Sequence, residues 1–276
     1  MLRTRILTAV ALFAGLLAAV FWLPVVGWTV LVGVLLALAG WEWSGLSGLR
    51  ALGTSGRAVY AGAVAAAGVG AGWSAGSGAH EIAGHLWLYL AGAGFWVVLA
   101  PLWLWARPTF VTAVIPLVAG MVVLVPSAAA MVALRRESPF LLLAIMAVAW
   151  ISDIAAYFAG RRFGRRKLAP SISPGKSWEG VYGALAAVTV YATGWLAAGG
   201  SMPLALPRTA LGEMWFVLLL LGFAAAGIAG DLLESQMKRQ AGVKDSGKLL
   251  PGHGGVLDRI DALLAVLPLA ALAFLG

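Results

Sequence analysis

The chain has no cysteine. Disulfides, thiolate metal sites and a cysteine nucleophile are excluded, while the compartment stays open. Charge is scarce as well: 11% of the 276 residues are Asp, Glu, Lys or Arg, where a soluble domain carries about 25%. What fills the chain is apolar, 62% hydrophobic with a mean hydropathy of +0.94. The apolar residues recur in runs near the length of one membrane crossing, about 20 residues. The composition therefore describes a polytopic membrane protein. A membrane admits helices or a closed barrel, and continuous runs without strict alternation mean helices.

The expected fold is all-α, with about nine spans near 5–23, 25–40, 57–73, 86–105, 111–134, 138–160, 179–199, 213–232 and 260–275. Arg3 and Arg5 ahead of an apolar run resemble a signal peptide. A second span follows at once through Pro24, so a retained helical hairpin is expected. Pro116 and Pro126 are expected to kink the fifth span. With the N-terminus in the cytoplasm, 16 of the 19 Lys and Arg residues fall on the inner side and three (Arg135, Arg136, Arg208) on the outer side. The Arg135-Arg136 pair runs against this topology, but the overall asymmetry decides it. The formal charge of +8 follows from the same asymmetry and needs no nucleic-acid partner. Residues 41–56, with Trp41 and Trp43, read as interfacial. The expected division is 1–140 for packing, lipid contact and dimerisation, and 141–276 for catalysis, with cytoplasmic loops 161–178 and 231–259.

The charge that exists is concentrated. Residues 230–261 hold five of the eleven acids: Asp231, Glu234, Asp245, Asp258 and Asp261. Asp231 and Glu234 are three apart and share a helix face, as do Asp258 and Asp261. Clustered carboxylates at a membrane edge suit Mg²⁺, a hard cation that keeps phosphate oxygens as partners. They equally suit ion pairs with Lys238, Arg239, Lys244 and Arg259 in a solvated rim. His253, inside Pro-Gly-His-Gly-Gly, is suited to a phosphate contact or to a helix cap. Gly242, Gly247 and Lys248 imitate a P-loop, but Leu249 replaces the Ser/Thr that binds the metal and no strand precedes it.

The other inner loop starts within span six. Asp153 lies in an apolar run, where an acid is a functional candidate; pairing with a neighbouring Arg is its structural alternative. Arg161, Arg162, Arg165, Arg166 and Lys167 follow, then a turn containing Ser173 and Lys176. The basic run is either a topology determinant or, with the turn, a phosphate cradle at a helix start. Ser177 is the expected N-cap, with Glu179 in the first turn.

Taken together, Ser235-x-x-Lys238-Arg239-(x)4-Lys244-Asp245-x-Gly247-x-x-Leu250-Pro251-x-His253-Gly254-Gly255-x-x-Asp258-Arg259-Ile260-Asp261 resembles the signature of the phosphatidate cytidylyltransferases. Gly230 to Ser235, Ser152 to Arg161 and Ser173 to Gly180 are similar to the same family. The resemblance covers about residues 150–261; the earlier part matches only as hydrophobic spans. It implies the reaction of CTP with phosphatidic acid to give CDP-diacylglycerol and pyrophosphate. It also implies Mg²⁺ dependence with one metal ion or two, a homodimer, and the bacterial inner membrane. By resemblance Asp231 and Asp258 bind metal, with Asp261, Glu234 and Asp245 as further candidates. Lys244 and His253 join the catalytic set. Lys176, Ser173, Arg162, Lys238, Arg239, Ser235 and Asp153 are expected to hold substrate.

The chemistry is coherent with that implication. A lipid phosphate is already ionised at neutral pH, so the obstacle is repulsion between anions, which cations and positioning relieve. A CTP-dependent lipid kinase is the nearest rival and would release CDP. A transporter using Asp153 and Asp231 belongs to a different class; its acids would lie at midplane, whereas these crowd one edge.

Overall fold

The computed structural model describes residues 2–48, 53–74, 79–108, 112–203, 205–249 and 254–275. It is a helical bundle: α1 (Leu2–Trp22), α2 (Val25–Leu46), α3 (Gly53–Ser74), α4 (Ala79–Gly94), a π-helical turn (Phe95–Leu99), α5 (Ala100–Ala106), α6 (Val114–Glu137), α7 (Pro139–Phe163), α8 (Trp178–Ala197), α9 (Ala210–Gln240) and α10 (Leu257–Leu275). Each expected span overlaps a helical segment, overrunning its ends by up to three residues, and the fourth runs through α4, the π turn and α5. Six described helical segments are long and apolar enough to cross a membrane. The protein is a helical integral membrane protein. The all-α expectation omits one feature, a short antiparallel hairpin of β1 (Lys167–Ala169) and β2 (Ser173–Ser177) within the first inner loop.

Helices α6 and α10 form the centre, and α10 packs against α2, α4, α6, α7 and α9. Pro268 lies inside α10. It has no N–H, which frees the carbonyl four residues back. Ser127 of α6 donates to that carbonyl, Leu264 O, at 2.8 Å, so the carbonyl freed by Pro268 keeps a partner. Trp43 and Tyr60 fasten α2 and α3 to the start of α6 through the carbonyls of Pro116 (2.7 Å) and Leu117 (2.9 Å). Apolar side chains such as Val30, Val97, Phe140 and Val190 are exposed on the flanks, as a lipid-facing surface requires. Trp22 and Trp105 are exposed near opposite ends, where aromatic belts sit.

The pair that opposed the expected topology has a structural use. Arg135 is buried in α6 and donates to the carbonyls of Val20 (2.9 Å) and Leu23, with its guanidinium over the Trp28 ring. It caps the C-terminal end of α1 and closes the α1–α2 hairpin.

Basic residues from two other segments meet at the β hairpin. Arg107 reaches Ser171 at 2.7 Å, Arg239 reaches the Ile172 carbonyl at 3.3 Å, and Gln240 reaches the Pro108 carbonyl at 3.0 Å. Helix α9 has 31 residues. At 1.5 Å per residue it is about 46 Å long, against about 30 Å of hydrocarbon. Its last turns therefore carry Asp231 to Gln240 beyond the apolar layer, to the end where the hairpin lies.

Candidate active site

Two helices bring the acids together. Asp231 and Glu234 stand one turn apart on α9. A Cβ on Gly230 would lie 2.5 Å from the Asp261 carbonyl oxygen. Only glycine lets the first turn of α10 rest so close to α9. As a result one oxygen each of Asp231, Glu234 and Asp261 lies within 4.8 Å of the others. Glu234 is 3% exposed; its Oε2 accepts from Lys238 at 2.6 Å and its Oε1 has no partner. Asp261 accepts from the Ala262 N–H at 2.8 Å.

Asp258 sits ahead of the apolar part of α10. Its Oδ1 accepts from Lys238 at 2.6 Å. Its Oδ2 accepts from the Gly255 N–H (2.8 Å), the Ser246 N–H (3.0 Å) and the Ser246 hydroxyl (3.0 Å). Burial opposes its ionisation, but the Lys238 hydrogen bond and charge and the Gly255 N–H prevail and hold the carboxyl down at about 2.

The β hairpin supplies the opposite wall. Lys176 on β2 reaches Asp231 at 2.5 Å. The hairpin is tied down at its exit: Ser177 caps α8 by accepting from Gly180 N–H (3.2 Å), as the sequence implies. Glu179 accepts from the N–H groups of Arg165 (3.0 Å) and Arg166 (3.2 Å). Between α7, the hairpin, α9 and α10 lies a cleft of about 760 Å³. Arg161 lines it and bonds the Tyr157 hydroxyl at 2.9 Å.

Of the residues singled out in the sequence, Asp153, Ser173, Lys176, Asp231, Asp258 and Asp261 line this cleft. Glu234 and Lys238 stand directly behind it, and Ser235 donates to Asp231 at 3.2 Å. Others lie apart. Arg162 is exposed over the Phe163 ring at 5.4 Å. Arg239 holds the hairpin tip through Ile172. Lys244 and Asp245 are exposed on the α9–α10 loop, and neither lines the cleft. His253 lies outside the described residues.

Sequence reasoning passed over Glu42. Its carboxylate is buried in α2, yet it accepts from the N–H groups of Val256 (3.1 Å) and Leu257 (2.8 Å) and from Ser246 (2.9 Å). The available signal was an acid between two tryptophans in an otherwise apolar helix.

A membrane bundle whose carboxylates and lysines crowd one open cleft, level with the end of its longest helix, has the make-up of a membrane enzyme acting on phosphates. Comparison with known proteins narrows that class. The chain belongs to the cytidylyltransferase family, whose model matches residues 3–275, and is a nucleotidyltransferase. A phosphatidate cytidylyltransferase of Pseudomonas aeruginosa is 38% identical over 285 residues, covering 98% of this chain and 96% of the relative. The phosphatidate cytidylyltransferase of Haemophilus influenzae is 36% identical over 291 residues, 97% and 96% of the two chains. That of Thermotoga maritima is 40% identical over 132 residues, 48% of each.

Proposed function

We propose that this protein is a phosphatidate cytidylyltransferase that joins CTP to phosphatidic acid at the membrane edge, giving CDP-diacylglycerol and pyrophosphate for phospholipid synthesis. The observation that carries this reading is the convergence of Asp231, Glu234 and Asp261 with Lys176 and the Lys238–Asp258 pair beside one cleft. Near-full-length similarity to the two relatives of that name supports it.

A phosphate oxygen of the lipid attacks the α-phosphorus of CTP. A new P–O bond forms, the bond to the β-phosphate breaks, and its electron pair leaves with pyrophosphate. The attacking oxygen is already ionised, so the site has no need of a strong base. Its task is to bring two anions together and hold them in line.

The residues fit a divalent cation. All the converging donors are carboxylate oxygens, and buried Glu234 Oε1 has no partner. Asp231, Glu234 and Asp261 would hold Mg²⁺, with Asp258 as a fourth acid linked to them through Lys238. When bound, the ion neutralises charge on the triphosphate and on the leaving pyrophosphate. The cleft is lined by Asp153, Asp231, Asp258 and Asp261 and by Arg161, Lys167, Lys176 and Arg259, with Glu234 and Lys238 behind it, so acids suited to a cation stand beside bases suited to phosphates. Lys176 can turn from Asp231 to a phosphate, and Arg161 with Ser173 lines the approach. His253, Lys244 and Asp245 remain proposed members through family resemblance, as do Arg162, Arg239 and Ser235 for substrate.

We place nine crossings in the bacterial inner membrane, with the N-terminus and cleft facing the cytoplasm. Lys/Arg asymmetry supports this, as does the gathering of Arg107, Arg161, Lys176 and Arg239 at one end of the bundle. CTP then arrives from water while acyl chains stay in lipid. Residues 141–276 carry the chemistry, residues 1–140 brace it, and a homodimer is the proposed assembly.

The test is pyrophosphate release by detergent-purified protein given CTP, phosphatidic acid and Mg²⁺. Lipid-dependent pyrophosphate together with CDP-diacylglycerol is expected. Release of CDP would replace this reading with a lipid kinase, and no turnover by folded protein would overturn it.

A further inference from the structure

Glu42 lies in α2, 204 positions from Ser246 and 215 from Leu257, yet it touches both. Its side chain is buried, and both oxygens are occupied. Oε1 accepts from Val256 N–H, and Oε2 accepts from Leu257 N–H and from the Ser246 hydroxyl. Val256 immediately precedes α10 and Leu257 is its first residue, where backbone N–H groups lack intrahelical partners. Glu42 is thus an N-terminal cap delivered from a distant helix, its charge matched to the positive end of the α10 dipole.

The same two pieces of chain are gripped by Asp258 from the other side. Its Oδ2 accepts from Ser246 N–H and from Gly255 N–H. The Ser246 hydroxyl stands between the carboxylates, 2.9 Å from Glu42 and 3.0 Å from Asp258. It has one proton, so it serves one of them at a time.

Space for this clamp depends on two glycines of the signature. A Cβ on Gly247 would lie 2.2 Å from Glu42 Oε1, and one on Gly255 would lie 2.4 Å from Oε2. These glycines are therefore explained by the carboxylate they admit.

We infer that Glu42 is a positioning residue for the proposed reaction: it clamps Ser246 and the start of α10 so that Asp258, and through it Lys238, is held against the acid cluster. The inference rests on the function proposed above. It gives the N-terminal part of the chain a share in the active site.

Glu42→Gln is the direct test. Glutamine keeps the shape and one acceptor, but its amide N–H₂ must face a backbone N–H. The expected protein is folded, with its KM for phosphatidic acid unchanged. Its kcat is lower by about tenfold or more, the scale of one lost hydrogen bond and a stranded donor. It is also cleaved faster by trypsin after Lys248, which is exposed in the clamped loop. Glu42→Asp, which restores both acceptor oxygens on a shorter arm, recovers part of the turnover. Wild-type kcat and an unchanged trypsin rate in Glu42→Gln would overturn the inference. If that variant does not fold, Ser246→Ala decides. Lower kcat at an unchanged melting temperature supports the clamp, and wild-type kcat overturns it. Should the wild type itself release no pyrophosphate, the functional reading fails, and the trypsin comparison still tests the clamp.

Discussion

Lys238 donates to Glu234 and to Asp258 at once, at 2.6 Å each. One ammonium group thereby ties α9 to the first turn of α10. Both carboxylates are nearly enclosed, with side-chain exposures of 3% and 6%, so neither has water to fall back on.

Lys238→Met should therefore do more than remove a substrate contact. A buried charge left unpaired costs about 3–5 kcal/mol. The expected result is a large drop in melting temperature together with loss of turnover. Adding Glu234→Gln to the same chain should recover much of the stability and none of the activity. Thermal unfolding in detergent, run beside the pyrophosphate assay, separates the two effects.

Asp258→Asn should fold, because asparagine retains one oxygen for the Gly255 and Ser246 N–H groups. It should lose activity by at least about 10²-fold, the scale of removing one electrostatic stabiliser. Near-normal turnover would take Asp258 out of the proposed metal set.

Arg161 and Arg162 are adjacent but face different surroundings. Arg161 lines the cleft, whereas Arg162 is exposed over Phe163. Arg161→Ala should raise the KM for phosphatidic acid, with a smaller rise for Arg162→Ala. Unchanged KM with lower kcat in either variant would remove that arginine from lipid binding.

Gly230→Ala tests the contact that sets the acid geometry. The added methyl meets the Asp261 backbone, which cannot rotate away, so α9 and α10 must separate. Overpacking of this kind costs about 1–3 kcal/mol. Reduced thermal stability and a weaker Mg²⁺ dependence of activity are expected; wild-type values for both would show that the helices tolerate the shift.

Much of this was legible along the chain because it depends on near neighbours. Apolar runs set the helices, and the three-residue spacing of Asp231 and Glu234 set their common face. Ser177 as the cap of α8 followed from local backbone chemistry. The β hairpin was less legible: its strands are three and five residues long, too short for alternation to declare itself.

Other features were decided only by folding. Arg135 looks in sequence like a misplaced topology signal, until the free carbonyls at the end of α1 arrive beside it. Arg239 sits among candidate phosphate ligands in the signature, yet its partner is the Ile172 carbonyl, 67 positions away. Glu42 sits between tryptophans as if at a lipid interface, and becomes the cap of α10 only when α2 and α10 pack together. By itself, the sequence determined a helical membrane protein with its acids and bases gathered at one end, because hydrophobic length and charge act through local composition. Which carboxylate meets which cation or N–H was decided by tertiary structure, since a buried polar group takes its partner from whatever distant backbone packing brings within reach.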